Sequence, residues 1–108
     1  MRIRTAVLAI AMTAFAGPAL ANCYELIGCT DSEYFAKRDL RQLSCQNLWD
    51  VRNTIYKENG YCFATKRAIN YFGNEGCYVE DQGAVKLNTY ERQNVAQIVA
   101  VEKAKGCR

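Results

Sequence analysis

Ser44-Cys45-Gln46-Asn47-Leu48-Trp49-Asp50-Val51-Arg52-Asn53-Thr54-Ile55-Tyr56-Lys57-Glu58-Asn59-Gly60 is the stretch from which the fold is read. Ser44 is a favoured N-cap, because its hydroxyl can accept from a backbone N–H that an incipient helix leaves unpaired. Leu48, Trp49, Val51, Arg52, Ile55 and Tyr56 then recur at intervals of three and four, the period of one helix face. Asn59-Gly60 ends the run, since glycine reaches the left-handed conformation that helix C-termini often require and asparagine tolerates it. A helix over this stretch, buried along that face, is the first expectation.

Downstream, Thr65 can cap a short helix, Lys66 to Phe72, that buries Ala68, Ile69 and Phe72 and stops at Gly73. Gly73, Gly76 and Gly83, with Asn74, Asp81 and Gln82 among them, make residues 73–87 a loop, with room for a short strand at Tyr78-Val79. Asn88 and Glu91 form a capping-box pattern ahead of Val95, Ile98, Val99 and Glu102, and Gly106 follows, so a helix over Thr89 to Lys105 is expected. Glu91 in its first turn and Lys103 and Lys105 in its last suit the helix dipole. Upstream, residues 22–42 read as an irregular segment with one helical turn around Ser32 to Lys37, capped by Asp31 or Ser32. The expectation is a small all-α domain of three helices, with residues 43–108 as its helical body.

The N-terminus carries a different signature. Arg2 and Arg4 precede an uncharged apolar run from Ala6 to Ala16; Gly17-Pro18 breaks it, and Ala19-Leu20-Ala21 presents small residues where a signal peptidase reads. Residues 1–21 are therefore expected to be a cleaved signal peptide, and the protein to be exported to the periplasm or secreted. The run is shorter than the roughly 20 apolar residues that span a bilayer. Asn22 stands where a lipidated cysteine is normally preceded by a small residue, which argues against lipidation at Cys23.

Cleavage changes the charge balance. Two of the fourteen Lys and Arg leave with the signal while all eleven acids stay, so the mature net charge is +1. That value excludes an electrostatic case for nucleic-acid binding. The 87 residues left form one domain that buries only about 60% of its unfolded surface, a thin stability margin. Cys23, Cys29, Cys45, Cys62, Cys77 and Cys107 all lie in this part, and in a small exported domain they read as a disulfide framework. Each bridge contributes about 2–4 kcal/mol by restricting the unfolded chain. Six cysteines allow more than a dozen connectivities; a local Cys23–Cys29 loop is easy to close, and the spacing does not choose among the rest. With no Cys-x-x-Cys and no histidine in the chain, neither a structural zinc pattern nor a Cys–His nucleophile is available, and no cofactor is implied.

Residues 43–63, from Leu43-Ser44 through Arg52-Asn53 and Ile55-Tyr56 to Gly60-Tyr61 and Phe63, resemble the YARHG domain, an extracytoplasmic bacterial module with no established activity. Later features follow the same order: Tyr71-Phe72, then Tyr78, then a terminal helix opening near Asn88, so the resemblance covers residues 43–105. Of the five residues that name the family, Tyr56 and Gly60 are kept, whereas Lys57, Glu58 and Asn59 replace Ala, Arg and His; no role resting on that Arg or His carries over. The resemblance implies an extracytoplasmic helical module, here a cross-linked, cysteine-rich branch.

Trp49, Ile55, Tyr61 and Phe63 read first as core residues around a helix end. Trp49, Arg52, Asn53, Tyr56, Gly60 and Tyr61 are the candidates for a binding site or a structural clamp. An Arg on the apolar side of a helix needs a carboxylate or carbonyl, so Arg52 is expected to clamp a loop through Asp81 or Glu80, or else to grip a ligand carboxylate or phosphate with help from Tyr56, Tyr71 or Tyr78. Glu58, Glu75, Glu80 and Asp81 could supply a carboxylate pair for glycoside hydrolysis, but nothing fixes their separation. The sequence favours a non-catalytic, monomeric binding module for a protein, a peptide or an envelope polymer. The alternatives are a small cell-wall hydrolase and an inhibitor of a protease or lysozyme.

Overall fold

A computed structural model of the protein describes residues 22–107, and the expected signal segment, residues 1–21, lies outside them. The elements are β1 (Cys23–Tyr24), β2 (Gly28–Cys29), α1 (Lys37–Leu40), α2 (Cys45–Glu58), α3 (Lys66–Phe72) and α4 (Thr89–Lys105).

The chemistry of the helix ends matches their residue types. Ser44 Oγ accepts from Asn47 N at 3.0 Å and opens α2. At the other end Tyr61 N donates to Tyr56 O and Gly60 N to Lys57 O, both at 3.1 Å, the pair of reversed bonds that closes a Schellman stop. Gly60 takes φ +89°, and a Cβ there would overlap the Tyr78 ring, so the position demands glycine on two counts. Thr65 Oγ1 caps α3 by accepting from Ala68 N. In α4 the capping box is complete: Asn88 Oδ1 accepts from Glu91 N at 2.8 Å, and Asn88 N donates to Glu91 Oε1 at 2.9 Å. Its C-terminus repeats the α2 stop, with Gly106 at φ +76° and Cys107 N donating to Glu102 O.

Helices α2 and α4 run antiparallel. Three links along the seam set that direction: the Cys45–Cys107 disulfide at one end, the Arg52–Glu102 ion pair in the middle, and the Asn59–Glu91 hydrogen bond at the other. Between them lies the core of Leu48, Val51, Ile55, Ile98 and Val101, completed by Ile27, Phe35 and Leu40 from the N-terminal segment. The remaining disulfides join Cys23 to Cys29 and Cys62 to Cys77, and all six cysteines are paired.

Several expectations need correction. Among the described residues there are four α-helices, not three. The N-terminal helical turn lies at Lys37–Leu40 rather than Ser32–Lys37, and its N-cap Ala36 makes no side-chain bond, so neither Asp31 nor Ser32 caps it. The reason is local: Glu33 Oε1 accepts from Cys29 N, and Asn94 holds the backbone at residues 30, 33 and 35, so the chain cannot turn helical until it has passed Phe35. The short strands are β1 and β2, paired antiparallel under the Cys23–Cys29 bridge, whereas Val79 makes only an isolated parallel bridge to Tyr61. Ile69, expected inside, is exposed, because α3 turns its Ala68 face inward.

Candidate functional site

The strip of α2 beside its α4-facing core carries Trp49 and Tyr56, and Tyr71 and Phe72 of α3 lie against Trp49. Trp49 meets Phe72 with ring centroids 5.6 Å apart and Tyr71 at 5.4 Å, edge-on. Phe72 stacks on Phe63 at 5.0 Å, Phe63 meets Tyr61 at 5.1 Å, and Tyr61 meets Tyr56 at 5.8 Å. Six aromatic rings thus form one continuous band from the exposed Tyr71 to the end of α2. The Arg67 guanidinium lies 3.8 Å over the Trp49 ring and donates to Gln46 Oε1 at 2.7 Å, which fixes both. The Tyr71 hydroxyl donates to Asp50 Oδ2 at 2.7 Å, a bond that raises its pKa above the usual phenolic value.

Trp49 separates two depressions. On one side Gln46, Arg67, Asn70 and Tyr71 border an open, shallow recess of about 510 Å³. On the other, Arg52, Asn53, Tyr61 and Phe63 line a deeper cleft of about 220 Å³, with Gln82 at its rim. Four of the six residues singled out from the sequence, Trp49, Arg52, Asn53 and Tyr61, therefore share one cleft. Trp49 and Tyr61 are half-buried walls rather than core, while Ile55 and Phe63 are buried. Tyr56 stands behind Tyr61, outside the cleft walls, and Gly60 lies beneath Tyr78.

Arg52 does clamp, but not onto a loop. Its Nε and Nη2 donate to the two carboxylate oxygens of Glu102 at 2.8 and 3.0 Å, joining α2 to α4. Glu80 and Asp81 are exposed, and Asp81 Oδ1 accepts instead from Gly83 N. One turn from Leu48 and one from Tyr56, Arg52 projects toward the last turn of α4, where Glu102 is the acid within reach. The ligand-gripping alternative loses its charge to the same pair, and Tyr56, Tyr71 and Tyr78 do not line the cleft. Arg52→Lys keeps the charge but loses the two-pronged geometry. The melting temperature is expected to fall by about 8 °C, corresponding to ~1–2 kcal/mol for a partly buried pair in a domain this small. A fall under about 2 °C in a thermal melt rejects the clamp.

Asparagines carry roles that the sequence reading did not assign. Asn59 Nδ2 donates to Ile55 O and to Glu91 Oε2, tying the end of α2 to the start of α4. Asn74 pairs with both Phe63 N and Phe63 O, as a strand neighbour would, and so fixes one cleft wall. Asn94 is fully buried; the signal that could have found it is a polar residue inside the buried spacing Glu91, Asn94, Ile98, Val101. Among the acids, Glu58 and Glu75 line a small recess of about 180 Å³, and partial burial of Glu58, followed by the negative charges of Asp31 and Glu91, raises its carboxyl pKa above the usual value.

The aromatic band, the glycine stop and the capping box sit where one known family has its pattern, and the YARHG domain matches residues 23–103. The chain belongs to the YARHG domain family. Neither a curated protein nor a solved structure matches it. The match begins at Cys23, twenty residues before the resemblance read from residues 43–105, in keeping with the burial of Ile27, Phe35 and Leu40 in the same core. In this YARHG domain the segment that names the family is the helix stop of α2, where Tyr56 supplies the receiving carbonyl and Gly60 the left-handed residue. Asn59, in the place of the family's His, bridges α2 to α4. The family is extracytoplasmic and of unknown activity, and the three disulfides fit export. No helix among the described residues is long and apolar enough to cross a membrane.

Proposed function

We propose that this YARHG domain is an exported, monomeric, non-catalytic binding module whose aromatic and polar face around Trp49 engages a protein, a peptide or an envelope polymer. The observation that carries the reading is the band of six rings that surfaces at Tyr71 among Gln46, Arg67 and Asn70. Exposed, rigid aromatic rings bordered by planar hydrogen-bonding groups are what recognition surfaces are made of. Partner choice through charge is weak, since the mature net charge is only +1.

Sedimentation of the oxidised protein with purified peptidoglycan tests it. The protein is expected to pellet with the polymer and release no soluble fragments, and Tyr71→Ala to weaken binding about fivefold, the equivalent of ~1 kcal/mol from one exposed ring. A second reading, cell-wall hydrolysis, draws on Glu58, whose raised carboxyl suits a general acid and which shares its recess with Glu75. Soluble fragments that disappear in Glu58→Gln or Glu75→Gln would replace the first reading with this one.

A further inference from the structure

Resting on that binding reading, we infer that the cleft between Trp49 and Tyr61 is a subsite for the acetamido group of an N-acetylated sugar. Asn53 is the observation that leads there. Its residue is 6% exposed, and its Nδ2 donates to Trp49 O at 2.9 Å. A carbonyl can only accept, so that bond fixes the orientation of the amide and leaves Oδ1 as the atom with lone pairs to offer. Among the described residues no protein group donates to Oδ1, and the atom is not fully buried, so water reaches it beside the cleft that Asn53 lines. An acceptor served only by water can take a ligand N–H or O–H in its place.

The other lining groups narrow the ligand. Glu102 already pairs with Arg52, and no carboxylate lines the cleft, so neither an anion nor a cation is favoured. Arg52 keeps Nη1 free of protein partners among the described residues, and the exposed Gln82 brings an amide to the rim, so donors are present for a ligand carbonyl. Buried Phe63 and Ala68 supply an apolar floor. A ligand with one N–H, one carbonyl and a terminal methyl satisfies all of these. Sites for whole drug-sized ligands run to roughly 300–1,000 Å³, so 220 Å³ holds one residue-sized group of a longer polymer. A mid-chain peptide amide continues in both directions and cannot end on that floor, whereas an acetamido group does.

The test is a titration of the oxidised protein followed by the NMR signals of the Asn53 side-chain amide and the Trp49 indole, with three probes: the N-acetylglucosamine disaccharide, cellobiose, and trialanine, whose peptide amides carry no acetyl group. The acetylated disaccharide is expected to shift both signals saturably and to bind at least about tenfold more tightly than cellobiose, because the analogue has no amide N–H, carbonyl or methyl to offer Asn53, Arg52 and the apolar floor. Asn53→Leu is expected to remove the binding. Gln82→Ala, at an exposed rim position that no packing depends on, is expected to weaken it about threefold and serves if Asn53→Leu does not fold. Equal binding of cellobiose, binding of trialanine in place of the acetylated disaccharide, or silent Asn53 and Trp49 signals overturns the inference. If the cleft is silent while the protein still pellets with peptidoglycan, only the subsite is lost; if it neither pellets nor shifts, the binding reading fails with it.

Discussion

Replacing Cys45 and Cys107 together by serine is expected to lower the melting temperature of the otherwise oxidised protein by about 20 °C. The bridge spans 62 residues, and closing a loop of that length removes about 4 kcal/mol of chain entropy from the unfolded state. In a domain of this size each kcal/mol moves the midpoint by about 4–8 °C. The other bridges close shorter loops, 15 residues for Cys62–Cys77 and 6 for Cys23–Cys29, so their losses should rank below it in that order. The native state adds to the ranking. Cys107 follows directly on the left-handed Gly106, and its disulfide is what holds the end of α4 against the start of α2; the Arg52–Glu102 pair lies further along the same seam. Differential scanning calorimetry of the three serine pairs provides the comparison, and a Cys45/Cys107 variant melting within about 5 °C of the parent rejects the entropic account.

That ranking could not have been written from the sequence, and the reason is physical. Helix starts and stops are local: Ser44, Thr65 and Asn88 each accept from a backbone N–H three residues on, and Gly60 and Gly106 each take the left-handed turn, so residue types alone locate α2, α3 and α4. Which cysteines meet depends instead on α2 and α4 docking antiparallel, information that no local pattern contains. The same holds for Arg52. Its need for an acid was legible from its place among apolar residues, but Glu102 lies 50 residues away, and the choice over Glu80 or Asp81 is made by helix packing. The cleft was partly legible because Trp49, Arg52 and Asn53 lie on one turn of α2 and Tyr61 just past its end. The contributions of Arg67, which covers Trp49, and of Asn74, which braces Phe63, arrive through tertiary contact and were not. The N-terminal segment was least readable: its strands are two residues each, its helix is a single turn, and neither is long enough to show a period.

One side chain makes three of the polar contacts to that segment, and Asn94→Leu is expected to loosen it. Asn94 Oδ1 accepts from Phe35 N at 2.8 Å, and its Nδ2 donates to Thr30 O at 3.0 Å and Glu33 O at 2.8 Å. Leucine fills a similar volume but leaves three backbone groups without partners, at ~1–3 kcal/mol for each that water does not reach. The net loss is expected to be about 3 kcal/mol, or about 15 °C in melting temperature. Amide exchange should accelerate over residues 30–40 before it does in α2 and α4, because the links between those two helices stay intact. The Cys23–Cys29 bridge keeps the β1–β2 hairpin closed while it lifts away with Ile27 and Phe35. Asn94→Asp separates lost bonds from lost volume. A carboxylate facing the Thr30 and Glu33 carbonyls is repelled, so its folded-state pKa lies above the unfolded value of ~3.9. The protonated acid can still donate one bond, and that stability is present below the unfolded pKa and is lost as pH rises through the folded one. The gap in melting temperature between the Asp variant and the parent should therefore be narrower at pH 4 than at pH 7. A gap that does not change with pH, or an Asn94→Leu protein melting within about 4 °C of the parent, means that the segment is held by the apolar contacts of Ile27, Phe35 and Leu40 alone.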